Sequence, residues 1–258
     1  MSSLVLLPVE IHGRIADFIT STRDLSHYLL LCRGIFGEVE RRLYRSIRLT
    51  KYEPHIFAAF IQGLLKNSHR PLLAREFSIH SVKPIPREVV SQLASSLARM
   101  TRLTHLTIIG SKLDFYEFKR RRYRFKLQRF EFLGSAPGPD GSITGFLISQ
   151  PSISILAASV YIPNEPVPSY FLPNLKVLRG SICFGKVVLP HLPLTVERLH
   201  WSPGYVFETR ESYLALRILK LSASENLFNF PLATMCPNLT YLEIAAEYSV
   251  SSMTSNRP

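Results

Sequence analysis

The feature that most constrains this chain is a spaced apolar signature that returns along most of its length. Residues at i, i+3 and i+5 repeat it at Leu103/Leu106/Ile108, Leu127/Phe130/Phe132, Ile153/Leu156/Ala158 and Leu175/Leu178/Gly180. The spacing continues at Val196/Leu199/Trp201, Leu216/Leu219/Leu221 and Leu239/Leu242/Ile244. Ala74/Phe77/Ile79 reads as an earlier copy and Tyr44/Ile47/Leu49 as a candidate first one. Successive starts from Ala74 onward lie 29, 24, 26, 22, 21, 20 and 23 residues apart. Positions i+3 and i+5 share one face of a short extended segment, and i+4 points the other way. No unit carries enough apolar surface to fold alone, so stacked units must bury a common core. An ordinary α/β domain with coincidental leucine spacing is the competing reading, and the near-constant period argues against it.

This pattern resembles a degenerate leucine-rich repeat. The resemblance implies an α/β fold, an irregular solenoid of parallel strands with helices or loops on its convex side, over residues 50–248. Pro-Asn-Leu or Pro-Ser-Ile opens three copies, at Pro151, Pro173 and Pro237, where a fixed φ ends the preceding segment. The position where such repeats often carry Asn holds Ser111, Ser135, Cys183 and Ser224, so no regular asparagine ladder is expected. Residues 89–100 and 142–150 read as convex helical segments, and 137–141 as a Pro/Gly loop. In this register the open strand face displays i+2, i+4 and i+6. Its candidate substrate-binding residues are His105, Arg129, Glu131, Arg179, Arg198, His200, Lys220 and Tyr241, with Thr107, Val177, Ile218 and Glu243 among them. A mixed, basic and partly aromatic surface suits a protein partner with acidic features. Taken singly, each could equally be a solvated side chain.

Ahead of the repeats the rhythm is helical. Pro8 suits a helix start, and Ile11, Ile15, Phe18 and Ile19 recur at helical spacing behind it. Ser21 to Asp24 offer a stop and a new N-cap, followed by Leu25, Tyr28, Leu29 and Leu31. Cys32-Arg33-Gly34 breaks that helix, and Ile35, Phe36, Val39 and Leu43 mark a third. Three short helices bury little by themselves, and more apolar positions are present than their bundle needs. Residues 7–49 resemble an F-box, the adaptor-binding motif of Skp–cullin–F-box ubiquitin ligases. Leu7-Pro8, the Ile11/Ile15 pair, Asp24-Leu25 and Leu31-Cys32-Arg33 stand where that family has them. The usual Trp near its end is replaced by Leu43-Tyr44-Arg45-Ser46-Ile47. The resemblance implies an F-box over 1–49 with adaptor-facing residues Leu7, Pro8, Glu10, Ile11, Ile15, Phe18, Ile19, Leu25, Leu29, Leu31 and Cys32. The same residues are needed for the unit's own core. The implied partners are a Skp-family adaptor and, through it, a cullin, together with an unknown protein substrate.

Apolar residues at 46% and charged residues at 19% describe an ordered globular chain. No apolar run approaches the roughly 20 residues that span a bilayer, so no membrane association is expected. Leu4 to Leu7 is too short for a signal core and lacks a preceding positive charge. Cys32, Cys183 and Cys236 lie far apart, which points to a reducing cytoplasmic or nuclear setting. In that setting the sequon at Asn238-Leu239-Thr240 would go unused. The eight histidines show no metal-ligand spacing, and no nucleophile elbow, Walker loop or dinucleotide fingerprint occurs. Neither a catalytic site nor a metal or other cofactor is expected, and the chain reads as a binder.

The net charge of +12 is uneven: residues 1–50 contribute +2, 51–134 contribute +10 and 135–258 contribute zero. Much of the excess sits in 119–126, Lys-Arg-Arg-Arg-Tyr-Arg-Phe-Lys. A solvated repeat connection, a nuclear-import signal and a nucleic-acid contact are its three readings. In the last, Tyr123 and Phe125 would stack on bases; otherwise they anchor the block to the following strand. Residues 249–258 are polar and read as a disordered tail. That leaves the last copy without a cap, so either a partner covers it or the chain is cut short.

Overall fold

The structure is a computed structural model that describes residues 7–31, 36–50, 53–81, 83–110, 116–134, 143–159, 171–180, 195–201, 214–223 and 232–246. Its frame is one parallel sheet in which nine described strands lie in strict sequence order. They are β1 (Ser46–Thr50), β2 (Glu76–His80), β3 (His105–Ile109), β4 (Arg129–Leu133), β5 (Ile155–Ala158), β6 (Val177–Gly180), β7 (Arg198–Trp201), β8 (Ile218–Ala223) and β9 (Tyr241–Ala246). Each strand falls on one copy of the apolar signature. The candidate first copy is one of them, since Ile47 pairs with Phe77 and Leu49 with Ile79.

Pairing is in register throughout, so the i+3 residues form one row across the sheet. That row runs from Ile47 through Phe77, Leu106, Phe130, Leu156, Leu178, Leu199 and Leu219 to Leu242. From Ile47 to Leu219 every member is buried, in a single core cluster that also takes the i positions Leu103 to Leu216. Each fully buried Leu, Ile or Phe contributes about 1.5–3 kcal/mol, which is why short strands suffice.

Connections cover the same face. Between β1 and β2 run α4 (Pro54–Lys66) and α5 (Arg70–Leu73), and between β2 and β3 runs α6 (Arg87–Arg99). Apolar residues at helical spacing on α6 (Val90, Leu93, Ala94, Leu97) are buried in the core, so the helix read over 89–100 is present. Shorter intervals hold α7 (Tyr116–Lys119) and α8 (Thr144–Ile148), the latter within the expected 142–150 segment. A further turn, α9 (Leu232–Met235), precedes β9. After β3 the chain turns at Gly110, whose φ of +80° places an added Cβ 2.6 Å from the Ser81 carbonyl oxygen. Only glycine fits there.

The helical N-terminus comprises α1 (Val9–Phe18), α2 (Thr22–Leu31) and α3 (Phe36–Arg45). Pro8 stands one residue ahead of α1, as its cap, and its carbonyl accepts the Ile11 and His12 N–H groups. Ser21 caps α2 through its hydroxyl oxygen, 3.3 Å from the Asp24 nitrogen. The unit closes on a small core of Ala16, Leu25, Tyr28 and Val39. The boundary expected at residue 49 falls inside β1, because the helical unit ends at Arg45 and runs directly into the sheet. The positions 111, 135, 183 and 224, the loop 137–141 and the tail 249–258 lie outside the described residues. Among the described residues no helix is long and apolar enough to cross a membrane.

Phe146 sits among three other aromatic rings of the core. It meets Phe118 edge-on at 6.0 Å, Tyr123 edge-on at 5.5 Å and Phe130 at 5.3 Å. Phe146→Ala is expected to lower unfolding free energy by about 3–5 kcal/mol, whereas Ile148→Ala, on the exposed side of α8, costs less than about 1 kcal/mol. Urea denaturation of both variants checks the contrast.

Candidate functional site

Two surfaces gather the residues singled out by sequence. On the helical unit the structure separates them. Leu25 is buried, and Ile15, Ile19 and Leu29 pack half-buried against the same small core, so these four hold the unit together. Leu7, Pro8, Glu10, Ile11 and Phe18 are exposed, Phe18 at 86%. Leu31 ends α2, its side chain outside the described ones, and Cys32 lies outside the described residues. Of the Ile11/Ile15/Phe18/Ile19 stripe, Ile15 and Ile19 therefore turn toward the core of the unit and Ile11 and Phe18 do not. His12 and Ala16 are the buried residues of α1, and His12 Nδ1 lies 2.7 Å from the Tyr28 hydroxyl. Sequence reading missed three further exposed apolar side chains, Val9, Leu30 (83% exposed) and Phe36. The run Leu29-Leu30-Leu31 carried the signal, because consecutive helical positions cannot all face one core.

The second surface is the open face of the sheet, where the i+2 and i+4 residues stand in rows. Arg179, His200, Lys220 and Glu243 are direct cross-strand neighbours on β6, β7, β8 and β9. Arg198 flanks them, between Val177 and Ile218. At the far edge Lys220 pairs with Glu243 and lies 5.7 Å above the Tyr241 ring. The hydrogen bond from Lys220 holds the Glu243 carboxyl below the usual carboxylate range, and one from Tyr241 adds to it. The same bond raises the Lys220 ammonium. Arg179 and Arg198 are exposed and have no ion pair among the described residues, so this half of the face offers unspent positive charge, with the exposed His200 beside them. Toward the other end charges are balanced. Arg129 Nε donates to Glu131 at 2.8 Å, Thr107 donates to Glu131 at 3.4 Å, and His105 is held by the Thr104 hydroxyl at 2.9 Å. His105, Arg129 and Glu131 are thus lined up with the candidates on β6–β9 but occupied by local partners.

The basic block also resolves into an inside and an outside. Arg120, Arg121, Arg122, Arg124 and Lys126 are exposed, while Phe125 is buried and Tyr123 packs on the core. The two rings pack against each other at 5.0 Å, tilted by 35°. Of the readings for these two aromatics, the apolar anchor is the one the geometry supports. Burial pushes the Tyr123 hydroxyl up out of its usual titration range, and its oxygen has no hydrogen-bond partner among the described residues.

No sequence reading anticipated the polar edge of the sheet. From the copy that starts at Ala74 to the one at Leu216, the carbonyl one position after the start accepts two N–H groups from the next repeat, as Thr104 does from Gln128 and Arg129. Side chains beside it reinforce the stack. Ser152 donates to the Leu127 carbonyl, Asn174 to Pro151, Thr195 to Leu175 and Asn238 to Leu214. The signal was present as a polar residue immediately before four of the copies.

Among the described residues no group of three or more His, Cys, Asp or Glu side chains is placed to hold a metal ion. Compared with known proteins, the chain matches no family model and no curated relative.

Two outcomes test this geometry. Lys220→Gln is expected to raise the Glu243 carboxyl toward its ordinary value, because the bond that lowers it is lost; side-chain carbon NMR titration reads the direction. Tyr123→Phe removes an unpaired buried hydroxyl and is expected to leave stability unchanged or raise it by up to about 1 kcal/mol, measured by thermal denaturation.

Proposed function

We propose that the chain is the substrate-recruiting subunit of a Skp–cullin–F-box ubiquitin ligase of the cytoplasm or nucleus. Its helical unit docks a Skp-family adaptor, and the cationic half of its open sheet face holds an acidic segment of a target protein. It does no chemistry itself. Holding a target near the conjugating enzyme makes lysine attack effectively intramolecular. The observation that carries this reading is the apolar set Leu7, Ile11, Phe18 and Leu30, exposed on a unit whose own core is already closed by other side chains. Solvent-facing leucine and phenylalanine at this density suit an interface rather than a free surface.

One set of contacts favours a second reading, in which the unit is simply the solenoid's N-terminal cap. Glu40 is buried and accepts a 2.8 Å bond from Arg70 Nε, and Arg70 in turn lies 5.0 Å over the Tyr44 ring. Tyr44 packs against the solenoid core. These contacts use α3 and leave the exposed residues of α1 and α2 uncovered, so capping and adaptor docking are compatible.

The test is co-expression with a Skp-family adaptor and size-exclusion of wild type, Ile11→Asp and Phe18→Asp. Both positions are exposed, so each variant is expected to fold within about 0.5 kcal/mol of wild type by circular dichroism melts. Wild type is expected to co-elute and both variants to lose the adaptor, with affinity weakened by about two orders of magnitude. A soluble, monomeric wild type that does not co-elute would leave the cap reading standing alone.

A further inference from the structure

At the junction of the helical unit with the first repeats lies a cleft of about 450 Å³, and six arginines line it. Arg14 comes from α1, Arg41, Arg42 and Arg45 from α3, and Arg75 and Arg102 from the segments leading into β2 and β3. We propose that this cleft binds a small anion bearing two or more phosphate groups, and that the bound anion ties the helical unit to the solenoid.

Charge is the first argument. The cleft holds three carboxylates against the six guanidiniums, a balance of +3. Glu38 accepts from Arg41 at 2.5 Å, and Asp17 accepts from Arg42, which also donates to the Asp17 backbone carbonyl at 2.6 Å. These pairs orient two of the forks. Arg14, Arg45, Arg75 and Arg102 have no carboxylate partner among the described residues, and all four are exposed. Gathering like charges around a concavity has an electrostatic cost that an anion would relieve.

Preorganisation is the second. The Arg75 N–H donates to the Arg45 carbonyl at 2.9 Å, and the Arg75 carbonyl accepts the Thr104 and His105 N–H groups. The stems of Arg45 and Arg75 therefore rise from backbone fixed by the sheet. Glu10, Gly13, Arg14 and Asp17 occupy one face of α1, beside the one that carries the exposed Ile11 and Phe18. The anion site is built from the chain's own arginines, so its binding is measured without an adaptor.

The chemistry of the lining selects the ligand class. Guanidinium forks match phosphate oxygens in pairs, and several forks around one volume favour several phosphates. Among the described residues no aromatic side chain lines the cleft, so these residues offer no platform for a base, which argues against a nucleotide or a single strand. Its volume falls in the range of small-molecule sites.

Isothermal titration of the full chain with inorganic tripolyphosphate, at fixed ionic strength, tests the proposal. Wild type and the control Arg120→Gln/Arg121→Gln/Arg122→Gln are expected to bind alike. Arg14→Gln/Arg75→Gln/Arg102→Gln is expected to bind at least about tenfold more weakly, and Arg14→Gln alone to show a partial loss in case the triple variant folds poorly. Tripolyphosphate should raise the melting temperature of wild type and not of the triple variant. Equal weakening in the control would overturn the site in favour of diffuse attraction to basic surface. Undiminished binding by both cleft variants would do the same. Tighter binding of a doubly phosphorylated peptide than of tripolyphosphate would reassign the cleft to a protein segment.

Discussion

Everything in this molecule depends on parallel strands pairing in register with the repeat before them. A strand of four to six residues, taken alone, has no independent stability. In register, each strand extends the buried rows by one unit and satisfies the edge of its predecessor. The carbonyl that accepts two N–H groups at each step from β2 to β9 fixes that register, because a one-residue slip would carry Leu106, Phe130 and their row-mates to the open face. Side-chain donors from Ser152, Asn174, Thr195 and Asn238 strengthen the same edge without entering the core.

A stack of this kind has two ends, and they are treated differently. At β1 the sheet is continuous with α3, and the buried Glu40 carboxylate meets Arg70 across the junction. That pair matters chiefly as a constraint. Its burial gains little net free energy, but displacing the helical unit would leave Glu40 uncompensated. At β9 the apolar rows continue into Leu242 and Ile244, which the described residues leave exposed.

How much was legible follows from what each pattern encodes. The i, i+3, i+5 spacing is a direct consequence of strand alternation plus a shared core, so it located all nine described strands, including the one beginning at Ser46. The helical N-terminus was legible as three helices. Its inward and outward faces were not, because α1 buries His12 and Ala16 and exposes Phe18. A buried histidine whose Nδ1 meets the Tyr28 hydroxyl and a small buried alanine are invisible to a hydrophobicity pattern. The basic block left its readings open in sequence, since charge dominates its composition while the packing of Tyr123 and Phe125 decides its placement. The arginine cleft was unreadable for another reason. Arg14, Arg45, Arg75 and Arg102 are spread over nearly ninety residues and meet only because the helical unit folds back on the first repeats.

That convergence gives α1 three distinct tasks around its circumference. His12, Ile15 and Ala16 face the small core, Glu10, Arg14 and Asp17 face the junction, and Ile11 and Phe18 face solvent. Ten residues carry all three, which explains why the helix lacks a clean apolar stripe. It also explains why so few apolar residues remain for its own core and why the α3 contacts to α5 and β1 are needed to hold the unit in place. A helix committed on every side has little tolerance for a shift in rotation. Turning α1 would unpack His12 and Ala16 from the small core and move Arg14 and Asp17 out of the junction together, so the contacts that close the small core also set the geometry of the cleft.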